Sequence, residues 1–91
     1  MNNLEKQYKY AIEYLISKQI KLLGKQIVFG KIKKLRGLHV DNKGKITSIT
    51  GDSTKILQTF IADYSKLSGL VFKNTMRTVL EKYPDLPIYI N

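Results

Sequence analysis

His39 and Asp41 carry the residue types for proton transfer, an imidazole and a carboxylate two positions apart. In a strand, positions i and i+2 share a face, so the carboxylate would sit where it could orient the imidazole as a general base. The plain alternative is a surface histidine at a strand end, and catalysis would need further polar groups that the surrounding sequence does not offer. The other carboxylates are scattered, with no pair spaced for acid/base work or for a metal. The chain has no cysteine, which excludes disulfides and thiolate metal sites. Lys21-Leu22-Leu23-Gly24-Lys25-Gln26 lacks the second Gly-Lys-Ser/Thr of a phosphate loop. Gly24 and Gly30 make no dinucleotide fingerprint. These absences point away from an enzyme, and no cofactor or metal is expected.

The remaining chemistry is charge. The net charge is +9, and residues 1–46 hold eleven Lys/Arg against three acidic residues, while residues 47–91 hold five against four. A field of this sign attracts nucleic acid, anionic lipid or an acidic protein surface. The candidate anion contacts are Lys18, Lys21, Lys25, Lys31, Lys33, Lys34, Arg36, Lys43 and Lys45. A Lys-rich surface can equally be compositional. Among the six tyrosines, Tyr8, Tyr64 and Tyr83 fall on apolar stripes and read as core. Tyr10, Tyr14 and Tyr89 are freer, and with Ile88 and Ile90 they are candidate dimer contacts.

The elements that position these residues follow from periodicity. Apolar residues recur at helical spacing from Leu4 to Leu23, with Gln19 the one lapse, and Asn2 with Glu5 resembles a capping box. A helix is expected over about 3–23. A second, over about 25–36, rests on Val28, Ile32 and Leu35, with Gly37 as its left-handed C-terminal cap; a strand at Ile27–Phe29 is the competing reading. Residues 38–50 read as a β-hairpin turning at Asp41–Gly44. Ile46 and Ile49 have opposite parity, so a bulge is expected in the second strand. Asp52 or Ser53 caps a third helix, about 53–68. A fourth, about 70–83, stops before Pro84. The apolar tail from Asp85 to Asn91 should be docked.

Shifting the chain by 45 residues aligns 11–38 with 56–83 and superposes Ile16 on Ile61, Lys21 on Lys66, Leu22 on Leu67, Gly24 on Gly69 and Leu35 on Leu80. The pattern is two helix-Gly-helix units around the hairpin, with a sharp turn favoured at Gly69. The fold class expected is mostly helical α+β in a single small domain over 1–91. The pair from Ile56 to Tyr83 is expected to form the core.

A chain of this size buries a modest core. The wide stripe on the first helix, the lone hairpin and the apolar tail all ask for more partner surface. The reading is therefore a small non-enzymatic dimeric interaction or regulatory module with a basic N-terminal half. The alternative is a sequence-independent nucleic-acid-binding protein. In order of elements the chain resembles a winged helix-turn-helix, with residues 25–36 as recognition helix and Lys43-Gly44-Lys45 as wing tip. It lacks the Arg, Asn and Gln base readers on that helix. No apolar run approaches a membrane span, and residues 1–6 lack the basic region and apolar core expected of a signal peptide, so a cytoplasmic location is expected and membrane binding ranks last.

Overall fold

The first helix, not the third, is the centre of the molecule. The computed structural model describes residues 3–66 and 69–88 of the 91. Its elements are α1 (Asn3–Leu23), α2 (Lys25–Lys33), β1 (Leu38–Val40), β2 (Ile46–Ile49), α3 (Ser53–Ser65) and α4 (Gly69–Lys82). This is a mostly helical α+β arrangement with a two-stranded antiparallel hairpin between helices. α1 packs against α2, α3, α4 and β2. The reason lies in its stripe. Tyr8, Ala11, Ile12, Leu15, Ile16 and Gln19 are all buried at helical spacing. Gln19 is thus inside the stripe rather than a gap in it. Leu4 and Leu22, expected on the same stripe, lie at its ends and are exposed.

α3 contributes Ile56, Leu57, Phe60, Ile61 and Tyr64 against α1. The N-terminal ends of the two helices meet where the Tyr8 hydroxyl and Thr54 Oγ1 lie 2.8 Å apart. Asp52 caps α3, its carboxylate accepting from the Thr54 and Lys55 amides at 3.0 and 3.2 Å. α4 buries only Thr75, Met76 and Val79. Thr75 Oγ1 donates to the Tyr64 hydroxyl at 3.2 Å, and Gln7 Nε2 donates to Asp85 at 3.1 Å. Where the end of α4 meets α1, burial and the Glu13 carboxylate, with Tyr10 and Tyr14 nearby, raise the Tyr83 phenol above its usual 10.0. So the expected core of α3 with α4 is instead one of α1 with α3, and α4 lies against its side. One apolar cluster nonetheless draws on every element.

The chain after α4 is docked, as its composition suggested. Leu86 is buried, Ile88 packs against the core, and Gln58 Nε2 donates to the Pro87 carbonyl at 3.2 Å. Tyr89 and Ile90 lie outside the described residues, as does the Asn2 cap.

Three boundaries move. α2 is a helix, but it ends at Lys33 rather than at 36, because Lys34 and Leu35 donate to the carbonyls three residues back and tighten the turn. Gly37 does have positive φ (+84°), yet it serves the hairpin: its carbonyl accepts from the Thr50 amide at 2.7 Å. α3 ends at Ser65, and α4 begins at Gly69. Gly24 separates α1 from α2 with φ +91°, a conformation disfavoured for most side chains. Gly69 is the first residue of α4, and the Ser68 half of the expected break lies outside the described residues.

The pseudo-repeat survives only in its first helices. Ala11, Ile12, Leu15, Ile16 and Gln19 match Ile56, Leu57, Phe60, Ile61 and Tyr64, and all ten are buried. Beyond the glycines the faces differ. Val28 and Ile32 are buried in α2, while their counterparts Lys73 and Arg77 are exposed in α4.

Candidate anion-binding groove

The hairpin turn is built by one carboxylate. Asp41 Oδ1 accepts from the Lys43 amide at 2.8 Å and the Lys45 amide at 3.0 Å. The Asp41 amide donates to the Lys45 carbonyl at 2.8 Å, and the Gly44 amide to the Asp41 carbonyl at 3.1 Å. This is the local competition of an Asx side chain with the backbone that makes tight turns. The two amide bonds, foremost that from Lys45, hold the Asp41 carboxyl below its usual 3.8. A carboxyl lowered on folding stabilises above its unfolded pKa and loses that contribution as the pH falls through the lower, folded value. Acidification below about pH 4 is thus expected to loosen the turn. Hydrogen exchange at the Lys43 and Lys45 amides measures it, and Asp41→Asn should remove the acid dependence.

Asp41 is therefore spent on the turn, and no His39–Asp41 couple forms. The imidazole of His39 faces Thr50 instead, Nε2 to Oγ1 at 3.4 Å. The bulge between the strands is present: Val40 pairs with Ile46 while His39 pairs with Ser48. Thr47 is the extra residue, and its hydroxyl donates to the His39 carbonyl at 3.1 Å. The opposite parity of Ile46 and Ile49 is explained by this insertion.

The turn does not project as a wing. Gly44 is buried, and a side chain there would meet Ile16 and Ile20 of α1 at 3.4 Å and Phe29 of α2 at 3.9 Å. Farther along, Glu13 Oε1 accepts from the Ile46 amide at 2.8 Å and fixes the outer edge of β2 to α1. The hairpin, marginal alone, is thus held within the chain. Folding back also creates a groove of about 200 Å³ between α1 and the turn, lined by Lys21, Lys43 and Lys45 with Glu13, Ser17 and Ile20. Three of the nine candidate cations converge here. Lys25 does not line this groove; its ammonium stands 5.3 Å from the centroid of the Phe29 ring.

The others go elsewhere. Lys18 stands 5.4 Å from the Tyr14 ring centroid, and Lys82 of α4 stands 5.6 Å from the same ring. Lys33 lines a separate groove between α2 and β1. Lys31, Lys34 and Arg36 line neither groove. Of the candidate dimer contacts, Tyr14 and Ile88 pack against the core and Tyr10 is exposed. Sequence reasoning missed a further apolar surface. Leu70 and Leu80 of α4 are exposed, and Leu80 with half-buried Phe72 lines a groove of about 500 Å³ flanked by Lys73, Arg77 and Glu81, with buried Met76 at its floor.

Among the described residues no group of three or more His, Asp or Glu is placed to hold a metal ion, and no helix is long and apolar enough to cross a membrane. Compared with models of known protein families, with curated proteins and with solved structures, the chain matches none.

Proposed function

We propose that this protein is a small non-enzymatic binding module whose hairpin-turn groove engages the phosphate backbone of a nucleic acid without reading its sequence. The observation that carries the reading is the convergence of Lys21, Lys43 and Lys45 on one groove. Their positions are separated in sequence and brought together by the turn that Asp41 holds. Lysine supplies point charges and no bidentate base readout, so discrimination among sequences is not expected. The net charge of +9 adds a long-range attraction at low salt.

A mobility-shift assay on a random-sequence duplex at 50 and 200 mM salt tests this, and about three phosphates contacted would give a slope of log K on log salt near −2.7. Lys21→Ala, Lys43→Ala and Lys45→Ala together are expected to bring that slope to near zero, a flattening of about 2.7. Lys31→Ala with Lys34→Ala should change it less. No shift at about 50 mM salt would remove the proposal.

A homodimeric regulatory module in the cytoplasm is the second reading. It is favoured by the exposed Leu70 and Leu80 of α4, Leu70 being 68% exposed. Light scattering on the eluting peak decides it: a monomer at micromolar concentration excludes the dimer and leaves nucleic-acid binding standing.

A further inference from the structure

The two outer edges of the hairpin are not alike. That of β2 is held to α1 by the bond from the Ile46 amide to Glu13. On β1, the Gly37 carbonyl accepts from the Thr50 amide and the Asp41 amide donates to the Lys45 carbonyl. Residues 37, 39 and 41 therefore turn their backbone groups toward β2. Alternation along an antiparallel strand sends those of Leu38 and Val40 the other way. The sheet ends at β1, so these groups have no strand beside them. Such an edge is a template for a further strand unless a proline, a bulge or an inward charge blocks it. β1 is three residues long but carries no proline, inward charge or bulge, since the extra residue sits on β2.

Beside this edge lies a groove of about 520 Å³, walled by Phe29, Ile32 and Leu35 on the α2 side and by Leu38 and Val40 on the strand. Its rim carries Lys33 and His39, both exposed. The one acid at the groove, Asp41, already accepts two amides of its own turn. Asp41 and Lys33 offset each other at this rim, so the charge that draws an acidic ligand is the net +9 of the chain. A second copy would bring another Lys33 to the rim and a second +9 body to the interface, which like-charge repulsion disfavours. A nucleic acid has no donors and acceptors in strand register and no apolar side chains for the groove.

We propose that the β1 edge and the α2 groove bind an extended acidic segment of another protein by strand addition. Its alternate apolar side chains enter the groove between Phe29 and Val40, and its carboxylates meet Lys33 and His39. This surface is separate from the lysine groove at the turn.

The probe is an acetylated, amidated heptapeptide, Glu-Val-Glu-Val-Glu-Val-Glu, titrated into the full chain with backbone amides followed by NMR. Shifts and slowed exchange at Leu38 and Val40 are expected. Methylating the amide nitrogens on the peptide edge that faces β1 should abolish them. Val40→Pro should weaken binding about tenfold, the equivalent of one lost hydrogen bond, because that amide faces away from β2 and an edge strand tolerates proline there. Lys43→Ala with Lys45→Ala should leave peptide affinity unchanged while weakening nucleic-acid binding. Four results would each overturn the proposal: no shift at millimolar peptide, shifts confined to Lys21, Lys43 and Lys45, equal binding of the methylated peptide, or protection of Leu38 and Val40 that grows with protein concentration in the absence of peptide. The last would make the occupant a second copy.

Discussion

Gly37→Ala is expected to destabilise the protein by about 2–5 kcal/mol, the sum of left-handed strain and overpacking. Two causes act together. The residue sits at φ +84°, where an L side chain is strained. A Cβ built there would also run into the Gly51 amide nitrogen and Cα. The obstruction is backbone, which cannot swing aside as a flexible side chain can. The approach is reciprocal, since a Cβ at Gly51 would meet the Arg36 carbonyl oxygen at 2.8 Å. The two chains cross here because Thr50 and Gly51 both donate to the Gly37 carbonyl, at 2.7 and 3.4 Å. A thermal melt reads the effect, at about 4–8 °C lost per kcal/mol for a domain of this size. Gly24→Ala is the control. Gly24 shares the positive φ, but nothing lies within 4 Å of its Cβ position, so only the strain of about 1–2 kcal/mol applies. Equal losses for the two variants would show that the close approach carries no cost.

Gln19→Leu is expected to raise stability by about 1–3 kcal/mol, the desolvation cost of an unpaired amide. Gln19 is fully buried in the α1 stripe, and neither Oε1 nor Nε2 has a hydrogen-bond partner. Its neighbours in the stripe, Leu15 and Ile16, are also fully enclosed. Leucine has a similar volume and no polar atoms, so the replacement keeps the packing and removes the penalty. Denaturant unfolding gives the difference directly through the midpoint at constant m. Gln19→Glu is the opposing test, because a buried carboxylate without a partner is still more costly. A Gln19→Leu protein no more stable than the original would mean that the amide is satisfied in solution.

The elements were legible where a local pattern fixes them. The parity of Ile46 and Ile49 foretold the bulge, and the Asp52 cap was readable from residue type alone. Gly37 was correctly seen as left-handed, but its partner, Gly51, is fourteen positions away in sequence. Nothing local says that the crossing rather than α2 claims it. The same limit hid the centre of the fold. The α3 stripe is the cleaner pattern, yet α1 is the longer helix and faces more neighbours, and only tertiary contact reveals this. Gln19 stood out as a lapse in the stripe. Spacing alone could not say whether the helix would turn it outward or bury it.

For the candidate site, residue type gave the chemistry and spacing gave little else. Lys21 and Lys43 share a groove because the turn folds back on Ile16 and Ile20, a contact that no helical wheel contains. Lys18, three positions from Lys21, goes to Tyr14 instead. The unpaired edge of β1 depends on which residues face β2, and that register is set by the bulge and by Gly37.

The bonds from Tyr8 to Thr54 and from Gln7 to Asp85 join positions 46 and 78 apart. They bear on how the molecule comes into being. During synthesis α1 is made first, carrying the apolar stripe on which everything else assembles. Its cover, α3, is encoded only at Ser53–Ser65, and the segment that reaches Gln7 follows later still. The one apolar cluster draws on both helix-Gly-helix halves. Closing such long loops before any reward is slow for a helical protein. Until most of the chain has emerged, the nascent protein presents a bare helix face to whatever binds unfinished chains.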